Sequence, residues 1–274
     1  MPAINTNAAA NAAVRYLNLN SAQETSSLSK LSSGSRITSA SDDAAGLAIS
    51  TRISSDVTTL QQAATNASQA TSILQTADGG ASNISDILAR MKSLASESAS
   101  GTTTDSSRAY INSEFTQLSS EIDSIASGTR YSNQSLLDGT SVFASGVTVL
   151  VGSSSTDTIS VTLTSLKSSA LGVSTLNVTT QTNANAALTA LDSAIDTVSA
   201  ARASIGAQES RFNFSSDSIS TQTQNLQSAN SAIKDVDIAA EQAKLSSAEV
   251  KTQAAVSAEA AANQMPQYLL KLLG

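Results

Sequence analysis

The chain has 274 residues, carries 15 basic and 22 acidic side chains, and contains no Cys, His or Trp. These absences exclude disulfides, thiolate nucleophiles, serine-histidine-aspartate catalysis and imidazole metal sites. A formal net charge of −7 argues against nucleic-acid binding, because phosphates are neutralised by a basic surface. The sequence has no apolar run of about 18 residues that predicts a membrane span, and no N-terminal secretory signal. We expect a soluble chain that uses no cofactor.

The apolar content favours long helices over a globule with a ligand pocket. Hydrophobic residues make up 40% of the chain and aromatic residues 3%, so Ala, Leu, Ile and Val dominate. Small side chains suit helices that pack closely along their length. The two prolines, Pro2 and Pro266, lie near the chain ends, so no proline interrupts a helix between them. We therefore predict a mainly α fold of long antiparallel helices.

The first long helix is predicted over residues 44–99. Apolar or small residues alternate at three- and four-residue spacing from Gly46 to Ala95, as in a coiled-coil seam, and only Asp56 interrupts them. Such a helix would be roughly 80 Å long. A second column beside the first predicts two buried faces: Ile73, Gly80, Ile87 and Leu94.

The chain then turns into a second helix. Gly79 and Gly80 would weaken the first helix by about 1 kcal/mol each relative to alanine, so we expect that a bend is tolerated there. Residues 100–105 predict a turn, with Asp105 as the N-cap of the next helix. That helix should return antiparallel to the first, since its apolar residues follow helical spacing: Ile111, Phe115, Leu118, Ile122 and Ile125.

The second half repeats this organisation. Apolar residues recur every seven positions along another predicted helix: Leu191, Val198, Ile205, Phe212, Ile219, Leu226 and Ile233. Ile195 is the one strongly apolar residue at the intervening position. A last, Ala-rich helix is predicted from about Asp235 onward. We expect the helices of the two halves to cover each other through an intramolecular seam of Ile84, Leu88, Met91, Ile205, Phe212 and Ile219.

Residues 131–184 predict a small, surface-exposed β-rich segment between the helical halves. Alternating apolar stretches separated by Gly, Ser and Asn predict short strands in hairpins: Val147, Val149 and Val151, then Ile159, Val161 and Leu163, then Val173, Leu176 and Val178. The segment is rich in Ser and Thr. Glycosylation of this surface is one interpretation, although no sequence rule fixes the sites.

The two ends of the chain contain too few large apolar residues to form a core alone. Residues 1–40 are rich in Asn and Ser, residues 235–274 are rich in Ala, and isolated helices of this quality are marginal in water. We therefore expect both ends to be disordered until a partner covers them. The first end carries a small net positive charge and the last a small net negative charge, which favours pairing. Two solvated faces would show the same charges.

Motifs at both ends resemble one known family. Residues 17–20, 28–37 and 41–49 resemble the N-terminal signature of bacterial flagellin, and residues 202–212 and 261–270 resemble its C-terminal motifs. The matches stand in the order found in the family. The chain therefore resembles a short flagellin with a minimal outer domain.

The resemblance implies a structural protein and not an enzyme. Such a subunit self-polymerises into the bacterial flagellar filament, the propeller for swimming motility, and is secreted to the cell exterior. The resemblance also implies three parts: residues 1–40 with 235–274 as the filament-core coiled coil, residues 41–130 with 185–234 as a helical shell domain, and residues 131–184 as the outer segment. The residues expected in filament-core assembly are Leu17, Leu28, Leu31, Leu245, Leu269 and Leu270.

The same resemblance implies partners. They are other copies of the chain, an export chaperone that binds the last helix, the flagellar cap and hook-associated proteins, and the export apparatus, but neither nucleic acid nor membrane. Arg90, Leu94 and Glu114 match positions that an animal innate receptor recognises in many flagellins. We expect weakened recognition here, because three neighbouring positions depart from that pattern: Ala89, Ser93 and Ser96.

Other classes of function stay open from the sequence. Asp42 and Asp43 are adjacent carboxylates, which can serve acid–base chemistry. Acids placed before a helix stabilise its dipole by about 0.3–1 kcal/mol, so helix capping is the favoured interpretation of this pair. A junction protein of the same filament would share the terminal motifs. A filament subunit could also carry an added ligand-binding role at its surface.

Overall fold

The structure is a computed structural model that describes residues 7–273, with side chains described for residues 7–265. The described chain forms helices and short strands in this order: α1 (Ala8–Ser33), α2 (Ala44–Ala99), α3 (Asp105–Gly128), β1 (Arg130–Tyr131), β2 (Gln134–Ser135), α4 (Val142–Ser145), β3 (Val147–Leu150), β4 (Thr158–Val161), α5 (Gln181–Lys234) and α6 (Ile238–Leu273). The predicted mainly α architecture is confirmed, and α2 has the bounds that its sequence pattern predicts.

The described residues divide into two compact units. One contains the residues up to Ser55 together with those from Asn225 onward, and the other contains residues 56–224. We call them the terminal unit and the central unit. Helices α2 and α5 each contribute residues to both units.

In the central unit, α3 returns along α2, as the sequence predicts. Arg90 of α2 pairs with Glu114 of α3, with 2.7 Å between Nη2 and Oε1. Further along α2, the carbonyl of Ser98 accepts a hydrogen bond from Arg108 of α3, so the two helices run antiparallel. The buried Arg108 also donates to the Ser100 carbonyl at 2.9 Å. This guanidinium therefore satisfies the Ser98 carbonyl in the last turn of α2, which has no partner within the helix.

Helix α5 also runs antiparallel to α2 in this unit. Arg202 of α5 donates to Asp78 of α2, with 2.8 Å between Nε and Oδ1. Lys92 of α2, more than a dozen residues further on, pairs with Asp192, which lies earlier on α5. The order of these partners fixes the relative direction of the two helices.

The core of the central unit is the apolar column predicted on α2. Its members in this unit from residue 60 onward are buried: Leu60, Ala63, Ala67, Ala70, Leu74, Ala77, Ala81, Ile84, Leu88, Met91 and Ala95. On α5 the heptad positions from Leu191 to Ile219 are buried as well, while Ile195 is only partly buried. A further buried column on α5 lies three positions after the heptad positions and holds Ala187, Ala194 and Gln208. The buried face of α5 is therefore broader than its large residues indicate.

Gly80 permits close packing against α2. A Cβ atom at this position would lie 2.9 Å from Cδ1 of Leu137 and 2.9 Å from Cγ2 of Thr129, whereas a Cβ atom at Gly79 would meet nothing. Helix α2 continues through both glycines. Gly80 therefore has a packing role, because the segment after α3 approaches the helix backbone at this residue. The sequence alone had indicated only that the glycine pair weakens the helix.

Thr104, and not Asp105, is the N-cap of α3. Its Oγ1 accepts a hydrogen bond from the Ser107 amide at 3.2 Å. Asp105 is the first helical residue, and its carboxylate accepts a bond from Arg108 at 3.0 Å. The predicted cap was wrong by one residue. Thr and Asp are both good N-caps, and an acid is also favourable in the first turn, so composition does not separate the two assignments.

Two hairpins lie in the middle of the chain. Strands β1 and β2 are joined by Ser132 and Asn133, whose φ angles of 47° and 66° are typical of a two-residue hairpin turn. Strand β3 pairs antiparallel with β4, with Val147 opposite Val161. The predicted hairpin over residues 147–161 is therefore confirmed.

The third predicted strand is wrong, because residues 173–178 form no strand. Val173 and Val178 are both buried, as their alternation with polar residues indicates. However, the amide of Val178 donates to Oδ1 of Asn112 at 2.9 Å, and its carbonyl accepts a bond from Ser98. Helix side chains, and not a neighbouring strand, satisfy this backbone. Alternation reports which residues are buried but does not report strand pairing.

Candidate assembly site at the paired termini

Helices α1 and α6 pack antiparallel in the terminal unit. Near the start of α1, Nδ2 of Asn7 donates to the carbonyl of Ala262 at 2.8 Å. Near the end of α1, Oγ of Ser27 donates to Oε1 of Glu241 at 2.7 Å. The partner residue on α6 moves toward its N-terminus as α1 advances. The two chain ends therefore lie against each other, which is the pairing that their opposite charges favour.

Local sequence signals start and stop these helices. Oδ1 of Asn7 accepts a hydrogen bond from the amide of Ala10 at 3.1 Å and caps α1. The helix ends at Gly34, whose φ of 67° is the left-handed conformation common after a helix. Asp237 caps α6 by accepting a bond from Ala240 at 3.0 Å. The sequence prediction of a start near residues 235–237 is confirmed.

The interface between α1 and α6 buries few large apolar side chains. Its buried apolar residues are mostly alanines, joined by one leucine: Ala10, Leu245, Ala248, Ala255 and Ala262. Leu17 and Leu31 are half-buried, and Leu28 is 58% exposed. An open groove of about 470 Å³ separates parts of the two helices. The predicted assembly residues Leu269 and Leu270 belong to α6, but their side chains lie outside the described residues.

Both helices of this pair carry large apolar side chains in exposed positions. These residues are distributed around both helices, and we refer to them together as the exposed terminal face: Val14, Tyr16, Leu19 and Leu28 of α1, with Ile238, Val250, Val256 and Met265 of α6. Monomeric proteins scatter single apolar residues over their surfaces. A helix pair with little buried apolar volume thus exposes apolar side chains that another chain could cover.

A buried polar contact lies within this alanine-rich interface. Ser27 is fully buried, and Glu241 is 4% exposed. The second carboxylate oxygen of Glu241 accepts a bond from Lys244 at 2.9 Å, so both oxygens have partners. Hydrogen bonds from Lys244 and from Ser27 lower the pKa of the Glu241 carboxyl. Glu241 is therefore held as a charged and fully paired carboxylate.

Backbone hydrogen bonds join the two connections that lead out of this helix pair. The amide of Arg36 donates to the Lys234 carbonyl at 2.6 Å, and the amide of Val236 donates to the Gly34 carbonyl at 3.1 Å. The guanidinium of Arg36 donates to the Ile233 carbonyl through Nε and Nη2. The α1–α2 and α5–α6 connections therefore form one hydrogen-bonded junction.

The adjacent carboxylates beside this junction organise local structure. Oδ1 of Asp43 accepts a bond from the Gly46 amide at 2.8 Å and caps α2, which confirms the capping interpretation for this residue. Oδ2 of Asp42 accepts bonds from the amides of Thr38 and Ser39 and from the Thr38 hydroxyl. These bonds lower the pKa of Asp42 to about 2. Both carboxylates thus have structural partners in the turn before α2.

The residues predicted to form a receptor surface do not share one environment. Arg90 and Glu114 are brought together as a surface ion pair, in which both Nε and Nη2 of Arg90 donate to Oε1 of Glu114. Leu94, one turn along α2, is 2% exposed and belongs to the core of the central unit. In the isolated chain only the ion pair is accessible at the surface.

The residues predicted to form the intramolecular seam all lie in the interior of the central unit. Ile84, Leu88 and Met91 on α2 are fully buried, and Ile205, Phe212 and Ile219 on α5 are at most 3% exposed. No member of this group is available at the surface for contacts with another chain.

Several polar residues that position the middle segment were missed from the sequence. Gln208 bonds to both backbone groups of Thr162. Asp123 of α3 accepts bonds from the amide and the hydroxyl of Ser168, at 2.9 and 2.7 Å. Gln208 does carry a signal, because it lies three positions after Ile205 on the buried side of α5. Its partner, 46 residues away, has none.

Chemical sites are not evident in the described part of the chain. Among the described residues, no group of three or more acidic side chains is placed to hold a metal ion. None of the described helices combines the length and the apolar character that crossing a membrane requires. The described geometry is that of a mainly helical protein whose terminal helices, α1 and α6, belong to one unit.

Comparisons with known proteins name the family. The model of the bacterial flagellin N-terminal helical region matches residues 4–142, and that of the C-terminal helical region matches residues 188–273. A flagellin of Halalkalibacterium halodurans is 37% identical over 98% of this chain and 99% of its own length. The crystal structure of Bacillus cereus flagellin matches with a TM-score of 0.52 and 31% identity, over 61% of this chain and 94% of that chain.

The chain belongs to the bacterial flagellin family, which confirms the resemblance seen in its motifs. It is a subunit of the bacterial flagellar filament and functions in motility. The structure of a putative flagellar hook-associated protein from Vibrio parahaemolyticus also matches, with a TM-score of 0.59 but 16% identity, over 71% of this chain and all of that chain. That likeness shows a shared fold alone.

Proposed function

We propose that the α1–α6 pair joins neighbouring copies of the subunit in the filament. The supporting observation is the exposed terminal face on a helix pair whose own interface is mostly alanine. Burying apolar surface contributes about 25 cal/mol per Å², so covering this face with other copies would supply the stability that the isolated pair lacks. A contact between different faces of identical copies generates a helical polymer when its rotation does not close a ring.

The subunit then has three working parts. Residues 1–40 with 235–274 form the filament core, residues 41–130 with 185–234 form the shell, and residues 131–184 form the outer segment. In this account the ends of the dilute monomer are disordered, because a helix pair with so little buried volume is marginal in water. Limited proteolysis tests this point: residues 1–40 should be cleaved first in monomer and protected in polymer. Equal protection in both forms would contradict it.

Contacts with other flagellar proteins follow from the same surface. An export chaperone would bind α6 and cover Val250, Val256 and Met265 until the chain is exported. The cap and the hook-associated proteins would contact the ends of the filament through the same terminal helices, and the export apparatus would deliver the chain to the cell exterior. A chaperone that protects α6 from protease in a mixture of the two purified proteins would support this assignment. Unchanged cleavage of α6 would oppose it.

Recognition by an animal innate receptor is proposed to be weak. Arg90 is already engaged by Glu114, and Leu94 is buried, so a receptor meets only part of the expected pattern. A cell-based reporter should respond to the purified monomer less strongly than to a flagellin that carries the full pattern. A response of equal strength at equal concentration would contradict this proposal.

Substitution of Leu28 tests the assembly proposal. Leu28→Asp places a charge on the exposed terminal face, where a neighbouring copy would have to bury it. We expect little polymer after seeded assembly in high sulfate, measured by sedimentation and electron microscopy, with unchanged helix content by circular dichroism. Ser29→Asp is the matched control, because it adds the same charge at the next, exposed polar position of α1. Normal filaments from Leu28→Asp would overturn the proposal.

A further inference from the structure

Apart from Leu245, the buried apolar residues that α6 contributes to the interface do not distinguish one register from the next. On α6 the positions at seven-residue spacing are Ala248, Ala255 and Ala262, all buried and all identical. If α6 moved by one heptad, each alanine would replace another of the same size. A seam of identical small residues therefore specifies register weakly, since apolar packing is nearly equal in both arrangements.

The heptad position that precedes these alanines is different. It holds Glu241, which is 4% exposed and accepts the hydroxyl of the fully buried Ser27 at 2.7 Å. A one-heptad movement in one direction would place Ala248 opposite Ser27. The hydroxyl would then be buried without its acceptor, and a buried unsatisfied polar group costs about 1–3 kcal/mol.

We propose that the Ser27–Glu241 hydrogen bond is the register determinant of the terminal helix pair. This inference rests on the proposed function, because a uniform polymer requires every copy to present the same exposed terminal face. A single buried polar residue in a coiled-coil seam fixes register in the same way, at some loss of stability. Ser27 and Glu241 are thus positioning residues, which act on how the apolar residues of both helices are presented to neighbouring copies.

The junction between the two connections is the competing determinant. Gly34 and Arg36 bond to the backbone of residues 234 and 236, which lie just before α6. If the junction alone fixes the register, removing the buried pair leaves the helices in place. If the buried pair is required, its removal allows the junction hydrogen bonds to break and the helices to adopt a second register.

Distances between spin labels measure the register directly. Asn11→Cys on α1 and Gln242→Cys on α6 place labels at exposed positions that are far apart along the axis of the antiparallel pair, so a movement along that axis changes their distance by nearly the same amount. The chain has no other cysteine. Labelled subunits are assembled in a large excess of unlabelled wild-type chain, so that each distance is intramolecular. A movement of one heptad shifts α6 along its axis by about 10 Å, which double electron–electron resonance resolves.

The variant that tests the inference combines Ser27→Ala with Glu241→Leu. It leaves no buried polar group unpaired, so it should still fold, but it should show a second population in which α6 is shifted by about 10 Å along the axis. Glu241→Gln should keep the wild-type distance, because its amide oxygen can still accept the Ser27 hydroxyl. Glu249→Leu, at an exposed position of α6, is the matched control and should also keep that distance.

The outcomes separate this inference from the proposed function. A single wild-type distance in the double variant would overturn the register role. Distances are recorded in the soluble chain as well as in filaments, so a wild-type chain that shows one dominant distance but fails to polymerise contradicts the proposed function alone. A wild-type chain with no dominant distance in either form would overturn the register inference.

Discussion

Gln208 of α5 pairs with both backbone polar groups of Thr162, the residue that follows β4. Its Oε1 accepts the amide at 3.0 Å, and its Nε2 donates to the carbonyl at 3.1 Å. One side chain therefore replaces a neighbouring strand at this residue. Together with Asp123 and Asn112, it attaches the segment from 162 to 178 to the helices by specific hydrogen bonds. The middle segment is thus held at defined points on the helices of the central unit.

Gln208→Leu should destabilise the central unit. It removes two hydrogen bonds to Thr162, each worth about 0.5–1.5 kcal/mol net, so the free energy of unfolding should fall by about 1–3 kcal/mol in urea denaturation. Gln222→Leu is the control, because Gln222 lies on the same helix but is exposed and bonds only to Ser218. Equal denaturation midpoints for Gln208→Leu and wild type would refute the attachment role.

The two adjacent glycines of α2 should respond to alanine with opposite signs. Gly80→Ala places a methyl group 2.9 Å from Leu137 Cδ1, and overpacking of this kind costs about 1–3 kcal/mol. Gly79→Ala meets open space and should stabilise the helix by about 0.5–1 kcal/mol. Thermal unfolding of both variants checks the signs. Stabilisation by both substitutions would show that the approach at Gly80 is not tight.

Arg108→Met should weaken the turn between α2 and α3. The substitution keeps most of the side-chain volume but removes the bonds to the Ser98 and Ser100 carbonyls, and hydrogen bonds to charged groups are worth about 1.5–3 kcal/mol each. We expect a clear loss of unfolding free energy by urea denaturation. Arg130→Met is the comparison, since Arg130 is exposed and donates only to Ser127. A loss no larger than that of Arg130→Met would contradict the role of the buried guanidinium.

Glu209 should lower stability at neutral pH. Among the residues the structure describes, its Oε1 is buried without a hydrogen-bond partner, and burial together with the nearby Asp78 raises the pKa of Glu209 above 4.5. Because the pKa of Glu209 is higher in the folded chain than in the unfolded chain, protonation of this carboxyl stabilises the folded state. The resulting stability is fully present below the unfolded pKa and is lost as pH rises through the folded pKa.

Glu209→Gln therefore should raise the thermal midpoint at about pH 7, and the advantage should shrink toward about pH 3. Glu121→Gln, at an exposed position of α3, serves as the control for loss of a negative charge. An advantage of Glu209→Gln that is the same at both pH values would show that ionisation of this group does not oppose folding.

The sequence predicted the long helices well because their signal is repeated many times. The column from Gly46 to Ala95 offers enough regular positions that single exceptions, such as Asp56, do not obscure it. The choice between Thr104 and Asp105 depended on one residue, and there the prediction was wrong. Regular repeats average out local ambiguity, whereas a cap is decided by a single hydrogen bond.

The contacts that attach the middle segment were not predictable in the same way. Gln208, Asp123 and Asn112 are polar residues that bond to backbone groups, and a backbone group cannot be recognised as a partner from the sequence. Val173 and Val178 reported their burial correctly but suggested a strand. The pairing of the terminal helices was predicted from the sequence, while the buried Ser27–Glu241 contact required coordinates.

Electron cryomicroscopy of filaments grown from the purified wild-type chain shows directly whether the α1–α6 pair joins neighbouring copies. We expect a polymer in which the α1–α6 pairs lie innermost and residues 131–184 lie outermost. Val14, Leu28 and Val250 should be buried against neighbouring copies. A polymer in which the terminal helices face solvent and make no contact with neighbouring copies would contradict it.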